Sequence, residues 1–275
     1  MKKRIRFSIL AIVLSLAMTS PVLADSKSAC VAIGADNTEA QLKTVYSYFN
    51  IKRGDVEETV VTNADEREYL DGVVSLDKIG TLALSSVYVQ EASSGGINLE
   101  THNIDWVTDE MYKSALGTAG IKNAKVIVAA YTPVSGTGAL TGIYKAYEAA
   151  TNTSLDEAAK STAVEEVVVV GELQDAIGDD AVKIVNSLKG EIAQTKNMND
   201  DEIRQLIVET AKKYDTVLDD QQIEEILALV NKFNKLNMDP DTFVKLMEAG
   251  QGTQGFFQQV QSFFQEIGNF FNNFK

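Results

Sequence analysis

Short apolar runs alternate with amphipathic segments over the first half of the chain. Between the runs, apolar residues recur at helical spacing, and this alternation predicts an α/β fold with a mixed sheet. Between the third and fourth runs, residues 93–96 (Ser-Ser-Gly-Gly) have the composition of a tight turn and predict a hairpin. The runs rich in β-branched residues predict five strands, at Cys30–Ile33, Val56–Thr62, Leu82–Gln90, Ile97–Ile104 and Lys125–Thr132.

Polar cap residues mark where the helices of this half begin. Asn37 or Thr38 precedes the first helix, Asn63 the second, and Thr108 the third, with Met111 expected to face inward. The side chains of Asn and Thr accept hydrogen bonds from the free amides of a first helical turn. These positions therefore predict three helix starts.

A shift of the sequence by 70 residues aligns Thr38–Gly72 with Thr108–Gly142 without a gap, and eight of the 35 positions are identical. Average composition gives roughly 6% identity by chance. The match predicts an internal duplication of a helix-strand-helix unit. Shared composition of two similar α/β units is the alternative.

Beyond Thr151 the pattern is helical, which predicts an α/β domain over residues 25–150 and an acidic helical domain over residues 151–250. Asp179-Asp180, Asp200-Asp201 and Asp219-Asp220 precede amphipathic runs, where carboxylates cap helices. Metal binding by these pairs is disfavoured because no calcium-loop motif surrounds them. The secondary structure of Ala163–Val170 is left undecided, since four consecutive valines favour a strand and the preceding residues favour a helix.

The N-terminus has the pattern of a secretory signal peptide. Four basic residues lie within residues 2–6, and Phe7–Met18 is apolar apart from two serines. Small residues up to Ala24 predict cleavage there, so residues 1–24 are the expected signal peptide and the mature protein is secreted. The apolar run is too short for a transmembrane anchor, and the position of Cys30 behind Lys27 argues against lipidation.

Charge and rare residues narrow the classes of function. The net charge is −14, and removal of residues 1–24 leaves 21 Lys and Arg against 39 Asp and Glu, a net charge of −18. This negative field disfavours nucleic acids and anionic membranes as partners. His102 is the single histidine and Cys30 the single cysteine, so we predict no catalytic residue, no metal site and no cofactor, with His102 on a strand or at the surface and Cys30 packed in the core.

Several motifs spread along the chain carry a family likeness: Val31–Asp36, Thr62–Asn63, Glu68–Leu70, Ile79–Thr81, Ser85–Ser86, Met111–Tyr112 and Val134–Gly142. Together they resemble the YpuA-like family, a set of exported Gram-positive proteins classed as a domain of unknown function. The likeness covers nearly the whole mature chain and is most specific in Val134–Gly142. It implies an extracytoplasmic location and a Gram-positive origin, and it implies no activity, substrate or catalytic residue.

The segment that follows the strand Lys125–Thr132 is the candidate ligand site. Its glycines permit close backbone approach, and the helix start behind them offers amide donors beside hydroxyl groups, so an anion or a carbonyl group could be held there. The alternative is that the glycines only let the helix pack closely on the sheet, with Thr137 exposed. The candidate residues share a place at the end of a predicted strand or at the helix start behind it: Thr62, Asn63, Ser135, Gly136, Thr137, Gly138 and Thr141.

Residues 251–275 predict a phenylalanine-rich amphipathic helix behind a glycine-rich joint. Seven of the eleven phenylalanines lie within residues 256–274. An exposed stripe of this kind would bind a partner or self-associate, and docking on the protein's own helices is the alternative. The candidate partner-binding residues are Phe256, Phe263, Phe264, Phe270 and Phe271.

These features predict a non-enzymatic protein of the cell envelope or surface that binds a protein partner or a cell-wall component. The alternative is an extracytoplasmic enzyme with its site at the helix start of Ser135–Thr141. Acidic or nucleophilic groups that converge in a cleft beside this segment would favour the enzyme. A smooth groove would favour the binding protein.

Overall fold

The computed structural model describes residues 28–73, 80–239, 243 and 245. Within these ranges a five-stranded mixed sheet with helices is followed by a helical part, so the predicted fold class is confirmed. The strands are β1 (Ala29–Gly34), β2 (Glu57–Val61), β3 (Ser86–Glu91), β4 (Ile97–Ile104) and β5 (Ala124–Val134). The helices are α1 (Glu39–Phe49), α2 (Asn63–Leu70), α3 (Asp109–Thr118), α4 (Ala139–Thr151), α5 (Glu157–Ile177), α6 (Asp180–Gly190), α7 (Ile192–Thr195), α8 (Asp200–Lys212) and α9 (Asp220–Phe233).

The strand order is β2-β1-β3-β5-β4. β1 is parallel to β2, β4 is parallel to β5, and β3 is antiparallel to both β1 and β5. β1, β2, β4 and β5 therefore end at the same edge of the sheet, where β3 begins. We call this edge the carboxyl edge, and the loops that leave it carry the candidate site.

The predicted hairpin between the third and fourth strands is wrong, because β5 lies between β3 and β4. β5 is buried at every position from Val126 to Ala130, which suits a central strand with both faces covered. β4 carries exposed polar residues and suits the sheet border. The turn at 92–96 instead passes the start of β5, where the Gly96 amide donates to Oδ1 of Asn123 over 2.9 Å.

Two of the three predicted helix caps are confirmed and one is shifted. Thr38 and Thr108 cap α1 and α3, and Met111 is buried as expected. The cap of α2 is Thr62 rather than Asn63, because Thr62 forms a reciprocal capping box with Asp65. The third strand starts at Ser86, not at residue 82, whose side chain is 56% exposed.

Helices cover the two faces of the sheet. α1 packs its apolar side on one face, against Val31, Tyr88 and Ile127. α4 lies across β1 and β3 on the other face, where Gly142 has no side chain and comes close to Val87. This contact supports the packing role that the sequence offered as the alternative for the glycines of this region.

The helices α5–α9 pack beside this layer. Residues 163–170 lie within α5, so the open choice between strand and helix is resolved as helix. Val164, Val167, Val168 and Val170 are buried there, and one hydrophobic cluster runs from Cys30 in β1 to Leu236 after α9. The division into domains at residue 150 stays a prediction.

The three acidic pairs differ in their roles at the helix starts. Asp219 caps α9 with a capping box, as predicted. Asn199 caps α8, with Asp200 and Asp201 in its first turn. Asp179 makes no side-chain cap on α6, so the prediction is wrong there.

The two units of the predicted duplication correspond over their first two elements. Thr38 and Thr108 cap equivalent helices, and positions 57–61 and 127–131, which the shift aligns, lie in β2 and β5. The third elements differ, because α2 follows β2 at once whereas β5 continues and α4 begins only at Ala139. The duplication itself stays a prediction.

Candidate functional site

Two loops and one helix meet at the carboxyl edge. Residues 135–138 follow β5, α2 follows β2 directly, and residues 80–85 precede β3. They line a cleft of about 410 Å³. Its walls are formed by Glu66 with residues 80–82, 84, 85 and 134–138. The cleft therefore contains four of the predicted ligand residues, Ser135, Gly136, Thr137 and Gly138.

Glu66 of α2 is the one charged side chain among these described lining residues, and sequence reasoning missed it. It is 3% exposed. A Cβ atom added to Gly138 would lie 2.3 Å from Oε1 of Glu66, so the carboxyl group packs against the backbone where α4 begins. The absence of a side chain at Gly138 is what makes room for it. The signal in the sequence was a carboxylate four residues before Leu70, on the buried side of a helix.

The environment of Glu66 favours its neutral form. Burial, followed by the negative charges of Asp36 and Asp65, raises the pKa of Glu66 to about 7. A hydrogen bond from Nδ2 of Asn63 to Oε2 acts in the opposite direction, but it is long at 3.4 Å. In the described residues, Oε1 accepts no hydrogen bond. Glu66 is therefore a titratable group that changes charge near neutral pH.

A buried tyrosine holds the backbone of the loop at 135–138. Gly136 has a positive φ of 91°, and its carbonyl oxygen accepts a 2.5 Å hydrogen bond from the buried Tyr112 hydroxyl. A side chain at Gly136 would come within 2.5 Å of that hydroxyl. In this loop Ser135 Oγ and Thr137 Oγ1 lie 3.4 Å apart.

The N-terminus of α4 opens on this loop. Its N-cap residue is Gly138, and among the described residues no side chain makes a cap hydrogen bond there. The free amides of a first turn carry a partial positive charge and donate hydrogen bonds to the oxygen atoms of ligands. A hydrogen-bond acceptor of a ligand fits beside this helix start, and a hydrogen-bond donor fits beside Glu66.

The remaining predicted ligand residues lie around this cleft. Asn63 connects Glu66 to Arg67: its Nδ2 donates to Glu66, and its Oδ1 accepts a 2.9 Å hydrogen bond from Nε of Arg67. Thr62 is exposed and its hydroxyl is used in the cap of α2. Thr137 and Thr141 are each 2% exposed, so the expectation of an exposed Thr137 is wrong. Asn63 follows β2 and the glycine loop follows β5, and β1 and β3 lie between these two strands. Glu66 nevertheless connects them, because it accepts a hydrogen bond from Asn63 and packs against Gly138.

The profile of a family described as "Protein of unknown function (DUF1002)" matches residues 33–249. The chain belongs to this family. It is 36% identical over 275 aligned residues to "Uncharacterized protein YpuA" of Bacillus subtilis (strain 168), and the alignment covers 94% of each chain. No solved structure matches the chain at a significant level. The resemblance inferred from the motifs is thus confirmed, and membership of the DUF1002 family brings no activity with it.

The other sequence candidates lie away from the cleft. His102 lies on β4, as predicted, with its ring stacked on Tyr48 at 4.3 Å and its Nε2 2.9 Å from Oε1 of Glu100. Cys30 is buried as predicted, and burial raises the pKa of its thiol to about 11. The described residues bring together no group of three or more His, Cys, Asp or Glu side chains able to hold a metal ion.

Two further predictions concern parts of the DUF1002 chain outside the described residues. The signal peptide at 1–24 and the phenylalanines at 256, 263, 264, 270 and 271 fall there, and both stay predictions. None of the helices in the described ranges combines the length and apolar character needed to cross a membrane.

Proposed function

We propose that the protein is an exported, non-enzymatic protein of the cell envelope or surface, and that it binds a polar cell-wall component at the carboxyl edge of its sheet. The observation that carries the proposal is Glu66. Glu66 lines the cleft, is 3% exposed, and has one oxygen for which no described residue is a hydrogen-bond partner. A bound ligand would supply that partner.

The rest of the cleft supports a ligand with several polar groups. Thr81, Ser85, Ser135 and Thr137 bring hydroxyls to its walls, and the start of α4 adds backbone amides that no described side chain caps. Leu82 and Leu84 add an apolar wall. A volume of about 410 Å³ is in the range of small-molecule sites. This combination suits a sugar or a short peptide better than an ion.

The test is a thermal-shift and calorimetric titration with soluble wall fragments from a muramidase digest of Gram-positive cell wall. Wild-type protein should gain stability with fragment concentration, by about 2.7 kcal/mol at a hundredfold excess over Kd. Thr137→Val keeps the side-chain shape but removes a buried hydroxyl from the cleft, so this variant should lose the gain. Thr210→Val is the matched control, because Thr210 is equally buried but lies in α8.

An enzyme at the same place is the second candidate, and Glu66 is the observation that favours it. A carboxyl group with a pKa near the working pH is suited to general acid-base catalysis. The described lining residues include neither His nor Cys, so Glu66 would act on water or on a ligand hydroxyl. We rank this candidate second because no activated nucleophile accompanies the carboxyl group there.

Mass spectrometry of wall fragments after long incubation separates the two candidates. A binding protein leaves the fragments unchanged, and Glu66→Gln alters affinity only. An enzyme produces new masses with wild-type protein, and Glu66→Gln abolishes them while Thr210→Val does not. New masses that depend on Glu66 would replace the first proposal with the second.

A partner role for Phe256, Phe263, Phe264, Phe270 and Phe271 is a separate proposal about a second binding surface. Its support is the sequence pattern, in which phenylalanines recur every seven residues behind Gly250 and Gly252. The deletion argued at the end of the Discussion tests it.

A further inference from the structure

We infer that the ligand of this cleft presents a primary ammonium group to Glu66, carried on a neutral body whose oxygen atom faces the start of α4. This inference rests on the proposed function, because it names the chemical class of the ligand for the same cleft. Two observations support it: the unused hydrogen-bond acceptors at the carboxyl edge and the charges around Glu66.

The carboxyl edge has unsatisfied acceptors rather than unsatisfied donors. Oε1 of Glu66 accepts no hydrogen bond in the described residues. Oδ1 of Asn37, in the loop after β1, is a buried acceptor without a hydrogen-bond partner in the described residues, while its Nδ2 donates to the carbonyl oxygens of Gly34 and Leu84, both at 2.9 Å. Acceptors require donors, and an ammonium group carries three.

Among the described residues, the charges that face Glu66 leave it without a counter-ion. Asp36, in the loop after β1, and Asp65 of α2 both add negative potential. Lys145 of α4 is 2.7 Å from Asp65, and Arg67 is 3.0 Å from Asp71, so both cations are engaged elsewhere. The lining loops at 80–85 and 134–138 contain no charged residue. A ligand cation would therefore complete the site.

A charged ammonium group and an ionised Glu66 attract each other in a poorly hydrated cleft, which makes the interaction proton-linked. Burial raises the pKa of Glu66 to about 7, so the carboxyl group is mainly ionised at pH 8 and mainly neutral at pH 5.5. Binding of an amine should release a proton near neutral pH and should weaken on acidification. An anionic ligand would behave in the opposite way, because only neutral Glu66 can donate a hydrogen bond to it.

Two probe molecules that differ in the charge of one amine group test this inference. Nα-acetyl-lysine amide carries a primary ammonium group with a pKa of about 10.4, which stays charged across this range. Its Nε-acetylated form has the same body without the charge. Calorimetry and NMR titration of the full mature protein at pH 5.5 and pH 8 give the affinities. We expect the amine to bind at pH 8, to lose about tenfold or more in affinity at pH 5.5, and to bind at least about tenfold more tightly than the acetylated form.

Glu66→Gln should remove both the preference for the amine and its pH dependence. Glu191→Gln is the matched control, since Glu191 is 7% exposed and has a pKa raised to about 7 by burial, yet lies between α6 and α7 away from the cleft. This control should bind as wild type does. Equal binding of both probes, tighter binding at pH 5.5, or no binding of the amine at either pH would each overturn the inference.

The inference and the proposed function fail in different ways. If wall fragments bind and Thr137→Val abolishes that binding, while the amine shows no preference over its acetylated form, the binding function stands and the ligand class is wrong. If neither wall fragments nor either probe perturbs the protein, both are wrong.

Discussion

Nζ of Lys189 lies 2.7 Å from Oε1 of Glu166, and the two side chains are 0% and 1% exposed. Lys189 also donates to the carbonyl oxygen and the hydroxyl of Ser114, at 2.9 and 2.8 Å. The ring of Phe243 covers Nζ at 4.1 Å. The pair therefore connects α6 to α5 and, through Ser114, to α3. A buried ion pair of this kind costs more to break than to replace.

We predict that Lys189→Met destabilises the protein by about 3 to 5 kcal/mol, because it leaves the carboxylate of Glu166 buried without its counter-charge. The double variant Lys189→Met/Glu166→Gln should recover a large part of this loss, since the amide of Gln is neutral and still accepts hydrogen bonds. Urea unfolding of wild type, both single variants and the double variant measures the coupling. A double variant as unstable as Lys189→Met would refute this account.

The pKa of Glu66 predicts how stability depends on pH. Burial raises the pKa from about 4.5 to about 7 in the folded protein, so between these values the folded state holds more protons than the unfolded state. Stability contributed by this group is present below pH 4.5 and is lost as the pH rises to 7. Glu66→Gln does not titrate, and it should be more stable than wild type at pH 8 by about 1 to 3 kcal/mol.

Denaturant midpoints at pH 4.5, 6 and 8 check this prediction. The difference between Glu66→Gln and wild type should shrink towards zero at the lowest pH. Glu191→Gln should show a similar trend, because burial also raises the pKa of Glu191 to about 7. A Glu66→Gln variant that is less stable than wild type at pH 8 would mean that the ionised carboxylate has a stabilising partner.

The glycine loop gives a third prediction. Gly136→Ala should be more destabilising than Gly95→Ala by about 1 to 3 kcal/mol, although both positions have positive φ, of 91° and 99°. The strain of φ is shared, but only at Gly136 would the new Cβ meet Ile104 and the Tyr112 hydroxyl, each at 2.5 Å. Thermal unfolding of the two variants gives the difference. Equal losses would show that the loop can move away from Tyr112.

The elements of the sheet could be predicted from sequence because their signals are local. β4 has the predicted bounds, Ile97–Ile104, since its polar and apolar residues alternate and turn residues precede it. The place of β5 between β3 and β4 could not be predicted, because a turn composition at 93–96 reports only that the chain turns there. Which strand lies alongside is decided by burial of both faces of β5.

Only half of the candidate site could be predicted from the sequence. Glycines and hydroxyls behind β5 are visible as a motif, and the structure lines the cleft with Ser135 to Gly138. Glu66 is 72 positions from Gly138 along the chain and meets it only because α2 folds back over the carboxyl edge. Its spacing of four residues from Leu70 places Glu66 on the buried side of α2 but does not indicate what it contacts. Its contact with Gly138 is a tertiary property.

The N-terminus gives a fourth prediction. If residues 1–24 are a signal peptide, the mature protein in the external fraction begins at Asp25, and mass analysis finds no lipid on Cys30. The thiol of Cys30 is 0% exposed in β1, which leaves it no access to a modifying enzyme once the chain is folded. External protein that still begins with Met1 would refute the cleavage.

The last prediction concerns the tail, for which two roles give opposite measurements. A helix over Phe256–Phe274 that docks on the protein's own helices would bury several phenylalanines, each worth about 1.5 to 3 kcal/mol when fully buried. Deletion after Gly250 would then lower the denaturant midpoint strongly. A tail kept for a partner, or for a second copy of the chain, contributes little to the stability of the isolated protein.

We expect the partner role, because Gly250, Gly252 and Gly255 form a glycine-rich joint and the paired phenylalanines give a wide apolar stripe. The deleted protein should keep its melting temperature within about one or two degrees and lose self-association or partner capture. Replacement of Phe256, Phe263 and Phe270 by Ser in the full chain is the matched control, since it removes the stripe and keeps the length. Unfolding of the deleted protein at much lower denaturant, with its associations intact, would assign the tail to the core.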